Sequence, residues 1–91
     1  MGAWRYTLPD EHAEFLRNCI EEGYIDGIAS AIKVSIGWIQ HTVKNPDINY
    51  ELDSILDEVE CIDDESTEED VDYILSEFYD FCDEYRIWIP V

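Results

Sequence analysis

The chain has 91 residues, enough for one domain with a modest core, and its 46% apolar and 13% aromatic content argues against disorder. Twenty-three acids against five bases leave a net charge of −18. That charge argues against nucleic acid or an anionic membrane as a direct ligand, because both require Lys and Arg to neutralise phosphate; cations or a basic protein surface fit better.

Residues 3 to 8, "AWRYTL", alternate Trp4, Tyr6 and Leu8 on one side, as a short strand would. A first helix is expected from about Pro9 to Glu22, turning His12, Phe15, Leu16, Cys19 and Ile20 to one face and stopping at Gly23. The next stretch, "YIDGIASAIKVSIGWIQHTVKN", is the most apolar. Ile25, Ile28, Ala29, Ile32, Ile36, Ile39 and Val43 recur at spacings of three and four, while Tyr24, Ala31, Val34 and Trp38 form a second stripe nearly opposite. A helix apolar on two sides is normally surrounded by others, so this reads as the central helix. The β-branched "IKVSIGWI" also fits a strand with Val34, Ile36 and Trp38 on one face.

Asn45-Pro46-Asp47 reads as a break. A shorter helix from about Asn49 to Glu60 would bury Ile48, Leu52, Ile55, Leu56 and Val59. "DDEST" is the following loop. Thr67 with Asp70 three residues on resembles a capping box, and Glu68 and Glu69 suit the positive end of a helix dipole. The last helix then runs to about Tyr85, burying Val71, Ile74, Leu75, Phe78, Cys82 and Tyr85. The tail "RIWIPV" looks extended. The expected fold is therefore mainly α, a single domain over residues 1–91. It is a compact bundle of about four helices whose short N- and C-terminal strands could pair at one end.

The charge is sharply divided. Seven acids and four bases lie in residues 1 to 47; the other sixteen acids lie between Glu51 and Glu84, with no base between Lys44 and Arg86. On a helical wheel, Glu69, Tyr73, Glu77, Asp80 and Glu84 lie opposite the Ile74–Leu75–Phe78 stripe. Tyr50, Ser54, Asp57 and Glu58 lie opposite Leu52 and Leu56. Like charges at i,i+4 cost a few tenths of a kcal/mol per pair, so an uncompensated face asks for a reason. A halophilic habit would supply one, but the many bulky Ile, Tyr and Trp residues argue against it. Tyrosine amid charge suits a recognition surface, since it adds rigid contact area at low entropic cost. Carboxylates three or four apart on a helix sit roughly 5–6 Å from one another, a spacing like that of phosphates along a nucleic-acid strand.

Other chemistry is sought and not found. No phosphate-binding Gly-Lys loop, Gly-x-Ser-x-Gly elbow or His-Glu-x-x-His motif occurs. His12 and His41 are far apart, the first suiting a structural position and the second the surface. "DDESTEED" lacks the glycine an EF-hand loop needs. Cys19, Cys61 and Cys82 are odd in number, have no C-x-x-C spacing and fall on or beside apolar stripes, which reads as three reduced thiols. No apolar run reaches membrane-spanning length, and "MGAWRYTLPDEH" lacks the order of a secretion signal, so a cytoplasmic protein is expected. "DSI" in "YELDSILDEVE" resembles the Asp-Ser-Leu pantetheine-attachment motif of acyl carrier proteins over about five residues. It departs from that motif in lacking the preceding glycine and in placing Ser54 well inside a helix.

The expected function is that of a non-catalytic acidic inhibitor occupying the basic nucleic-acid channel of a target protein. In size and composition the chain resembles phage-encoded DNA mimics of the anti-restriction and anti-CRISPR kind. Tyr50, Asp57, Glu58, Glu69, Tyr73, Glu77, Asp80 and Glu84 would bind the partner, with no cofactor and no metal. Two alternatives share the composition. One is an immunity protein neutralising a nuclease toxin; the other is an acidic adaptor or homo-oligomeric scaffold joined through Trp4, Trp88 and the terminal strands.

Overall fold

The first helix starts where the sequence places it, because Pro9 fixes an extended entry and Asp10 and Glu11 meet the positive end of the dipole. In the computed structural model, which describes residues 4–90, the elements run β1 (Tyr6–Thr7), α1 (Asp10–Glu22), α2 (Ile25–Thr42), α3 (Pro46–Glu60), α4 (Glu68–Glu84) and β2 (Ile87–Trp88). Gly23 ends α1 in the left-handed region at φ 74°. The Tyr24 amide donates to the Cys19 carbonyl and the Gly23 amide to that of Ile20, closing a Schellman turn. Gly27 then lets α1 and α2 meet closely: a Cβ there would lie 2.9 Å from the Cys19 sulfur.

Residues 33–39 are helical throughout, which removes the strand alternative. α2 lies against every other helix, whereas α1 lies against α2 alone. α2 is thus the central element, and its buried residues include Ile28, Ile32, Ile36 and Ile39. The second stripe is only partly covered. Ala31 is buried and Trp38 half-buried, but Val34 is 41% exposed and Tyr24 62% exposed. On α1, Ala13 joins Leu16 and Cys19 inside, while Phe15 and Ile20 stay exposed. With α2 its single helical neighbour among the described residues, α1 leaves Phe15 and Ile20 on the flanks of its stripe exposed.

α3 begins at Pro46, three residues before the expected Asn49. The Asn45 side chain caps it by accepting from the Asp47 amide at 2.9 Å. Proline at the first helical position starts a helix because its missing N–H would have had no partner there. The loop before α4 is a hydrogen-bonded turn: Asp63 accepts from the Glu65 amide at 2.9 Å, and the Asp63 amide donates to the Ser66 hydroxyl at 3.0 Å. The capping box is present in both directions, with the Thr67 amide donating to Asp70 and the Asp70 amide to Thr67. α4 buries Phe81 in addition to the expected Val71, Ile74, Leu75, Phe78 and Cys82; Tyr85 is half-buried.

The two strands pair in parallel, Tyr6 with Ile87 and Thr7 with Trp88. A parallel pair needs a long crossover, and here the four helices supply it. Trp4 stacks obliquely on Trp88 with ring centroids 5.1 Å apart. Ala3 and Val91, which the sequence places in these extended segments, lie outside the described residues. The radius of gyration, 12.6 Å, is close to the roughly 12 Å expected of a compact domain this long. α3 and α4 therefore lie side by side at the surface of a packed body, each with one flank on α2.

Candidate functional site: the acidic face of α3 and α4

Neither α3 nor α4 contains a Lys or Arg. Both keep an apolar stripe inside, so their carboxylates share the outer surface. The groove along the seam between them has two depressions. One is bordered by Tyr50, Glu51, Ser54, Glu77, Asp80 and Glu84. The other is bordered by Glu58, Cys61, Glu69, Asp70 and Tyr73. Seven of the eight residues expected to bind a partner thus come together along one groove. Asp57 lies apart from it, exposed on the outward side of α3. Tyr50 and Tyr73 are the most exposed large hydrophobic side chains among the described residues, at 77% and 64%.

Not every carboxylate on this face points outward. Glu58 and Glu77 are half-buried and meet across the seam, whereas Glu69, Asp80 and Glu84 are exposed. Burial, then the adjoining Glu77 carboxyl and its charge, hold the Glu58 carboxyl above the usual carboxylate range. The neighbouring Glu77 carboxylate, as acceptor first and as charge second, and then the charge of Glu58 raise the Tyr73 phenol. Glu51, near the start of α3, acts in the same way on Tyr85 at the end of α4, and its carboxylate as acceptor is the first cause that raises that phenol. On the other flank of α3, Gln40 of α2 donates to Asp53 at 2.8 Å.

Glu51 and Asp70 belong to the groove but were not among the expected binders. Glu51 stands beside Tyr50 on the flank that turns toward α4. Only knowledge of which flank meets α4 would have picked it out. Ser54 sits mid-helix and exposed, away from any helix start, so its surroundings differ from those of a pantetheine-bearing serine.

All three thiols are free, with Cys19 and Cys82 buried and Cys61 exposed. Burial pushes the Cys82 thiol up to about 12, which leaves almost no thiolate at neutral pH. Among the described residues no group of three His, Cys, Asp or Glu side chains is arranged to hold a metal ion. No helix among them is long and apolar enough to cross a membrane. No family model, curated protein or solved structure matches the chain. What the groove can do follows from its own chemistry: it presents ordered negative charge, two rigid aromatic rings and no compensating cation.

Proposed function

We propose that the protein is a non-catalytic inhibitor that places the α3/α4 face in the basic nucleic-acid channel of a target protein. The observation carrying this reading is the single-sign lining of both depressions along the α3/α4 seam, from which Tyr50 and Tyr73 stand out. Solubility requires net charge but not two exposed tyrosines inside the most charged surface. In this reading Glu69, Glu77, Asp80 and Glu84 stand in for phosphates, with Asp57 and Glu58 beside them, and the tyrosines give directional contacts. A field of one sign speeds encounter with a cationic channel at low salt and fades as ions screen it.

The test uses partners captured from lysate at low salt and challenged with duplex DNA. A mimic's partners are released by the duplex. A single partner indifferent to DNA favours an immunity protein or a scaffold. Replacing Glu69, Glu77, Asp80 and Glu84 together with Gln should leave the helical signal unchanged. It should weaken capture about thirtyfold, if each charge contributes of the order of 0.5 kcal/mol. Undiminished binding by the fourfold variant would end the proposal. The scaffold reading has its own observation, the partly exposed Trp4–Trp88 pair; it requires self-association in sedimentation without any partner.

A further inference from the structure

The seam between α3 and α4 contains an electrostatic problem that the rest of the face does not have. Glu58 Oε2 and Glu77 Oε1 are both buried, and neither has a hydrogen-bond partner. Two ionised carboxylates can only accept, so when both are charged neither can satisfy the other. Burial without a donor and mutual repulsion then act together. One added proton removes both difficulties, because a protonated carboxyl donates to its neighbour. No basic residue borders the pair. Beside Glu58 stand Cys61 of α3, Ser66 of the loop, and Glu69, Asp70 and Tyr73 of α4; beside Glu77 stand Tyr50, Glu51 and Ser54 of α3 and Asp80 and Glu84 of α4. None of their hydroxyls, nor the Cys61 thiol, bonds either buried oxygen.

We propose that Glu58 and Glu77 share a single proton across the α3/α4 seam, and that this proton gates the acidic face. With the proton in place, a carboxyl–carboxylate hydrogen bond bridges the two helices and the groove carries one charge fewer. When it departs to solvent, two charges stand at the middle of the groove, ready for a cationic partner. Protonation and capture of a basic partner therefore compete. The shared proton stands on the seam's own geometry; its competition with a partner rests on the inhibitor reading above.

The raised Glu58 carboxyl supports this, and the sign is definite. A carboxyl that binds its proton more tightly in the folded state stabilises the fold below its unfolded value, 4.5. That contribution is lost as pH rises through the higher folded value. The decisive measurement is the urea midpoint of the wild type, Glu58→Gln, Glu77→Gln and Asp57→Asn, followed between about pH 4 and 8. Asp57→Asn removes the same charge from an exposed neighbour and serves as the reference. The Gln variants keep a permanent donor in the seam. They should raise the midpoint at neutral pH above that of Asp57→Asn and flatten its fall with rising pH. Profiles for both Gln variants that superimpose on Asp57→Asn overturn the shared proton. In a second arm, calorimetry of hexa-arginine peptide binding in buffers of different ionisation enthalpy should show wild type releasing more protons than Glu58→Gln at mildly acidic pH. Equal release overturns the gating. If the peptide binds at no pH while the stability profiles behave as stated, the inhibitor reading falls and the shared proton stands.

Discussion

Ser35 stands in the middle of α2 at 0% exposure, and its hydroxyl has no hydrogen-bond partner. An unsatisfied buried hydroxyl costs about 1–3 kcal/mol, and alanine suits a helix interior better than serine. Ser35→Ala is therefore expected to stabilise the protein by about 1 kcal/mol, read as a higher urea midpoint at unchanged slope. The position shows how residue-scale legibility divides. Ile32, Ile36 and Ile39 were readable as core from their spacing, yet the same helix buries Ser35 beside them because α2 has neighbours on several sides. The opposite error occurs at Phe15 and Ile20, which the spacing puts inside and the fold leaves exposed. Phe81 was missed because it flanks the expected stripe of α4 on the side that faces the α3 seam. At Phe15, Ile20 and Phe81 hydrophobicity set the preference, and the neighbouring helix decided whether it was met; at Ser35 the neighbours imposed burial against it.

At the scale of the element, the helix ends were the most legible feature where side chain and backbone chemistry coincide. Gly23 takes the left-handed conformation that its lack of a Cβ allows, and Thr67 with Asp70 forms the reciprocal cap. Thr67→Ala should cost about 1 kcal/mol, seen as a lower thermal midpoint. The cap also stands among Asp63, Asp64, Glu65, Glu68 and Glu69. Of these, Glu68 and Glu69 stand in the first turn of α4, where the dipole favours them. The start of α3 was misread because Asn-Pro-Asp signals both a turn and a helix entry. The Asn45 side chain on the Asp47 amide shows that the entry prevailed. The parallel pairing of β1 and β2 could not be read from two short extended segments. Their relative direction depends on the path of all four helices between them.

For the whole molecule, the net charge of −18 works against compactness, and the core must outweigh it. Raising salt from about 0.01 to 1 M shortens the screening length from about 30 to 3 Å. The thermal midpoint should therefore rise with sodium chloride, while affinity for any basic partner falls. A midpoint that is flat or declines with salt would mean that repulsion is not the main electrostatic load on this fold. Two responses of opposite sign to one variable would separate the charge's effect on folding from its use in binding.

The sequence by itself determined that four helices form, where most of them begin and end, and that the carboxylates of the last two avoid their apolar stripes. These are local matters of period, capping and dipole, in which each residue responds to others within a turn or two. Tertiary structure alone decided that α3 and α4 lie side by side, so that two acidic faces became one groove, and that Glu58 and Glu77 meet within it. A wheel fixes a side chain's angle about its own helix axis. It carries no information about which other helix lies at that angle, and both the groove and the buried carboxyl pair arise between axes.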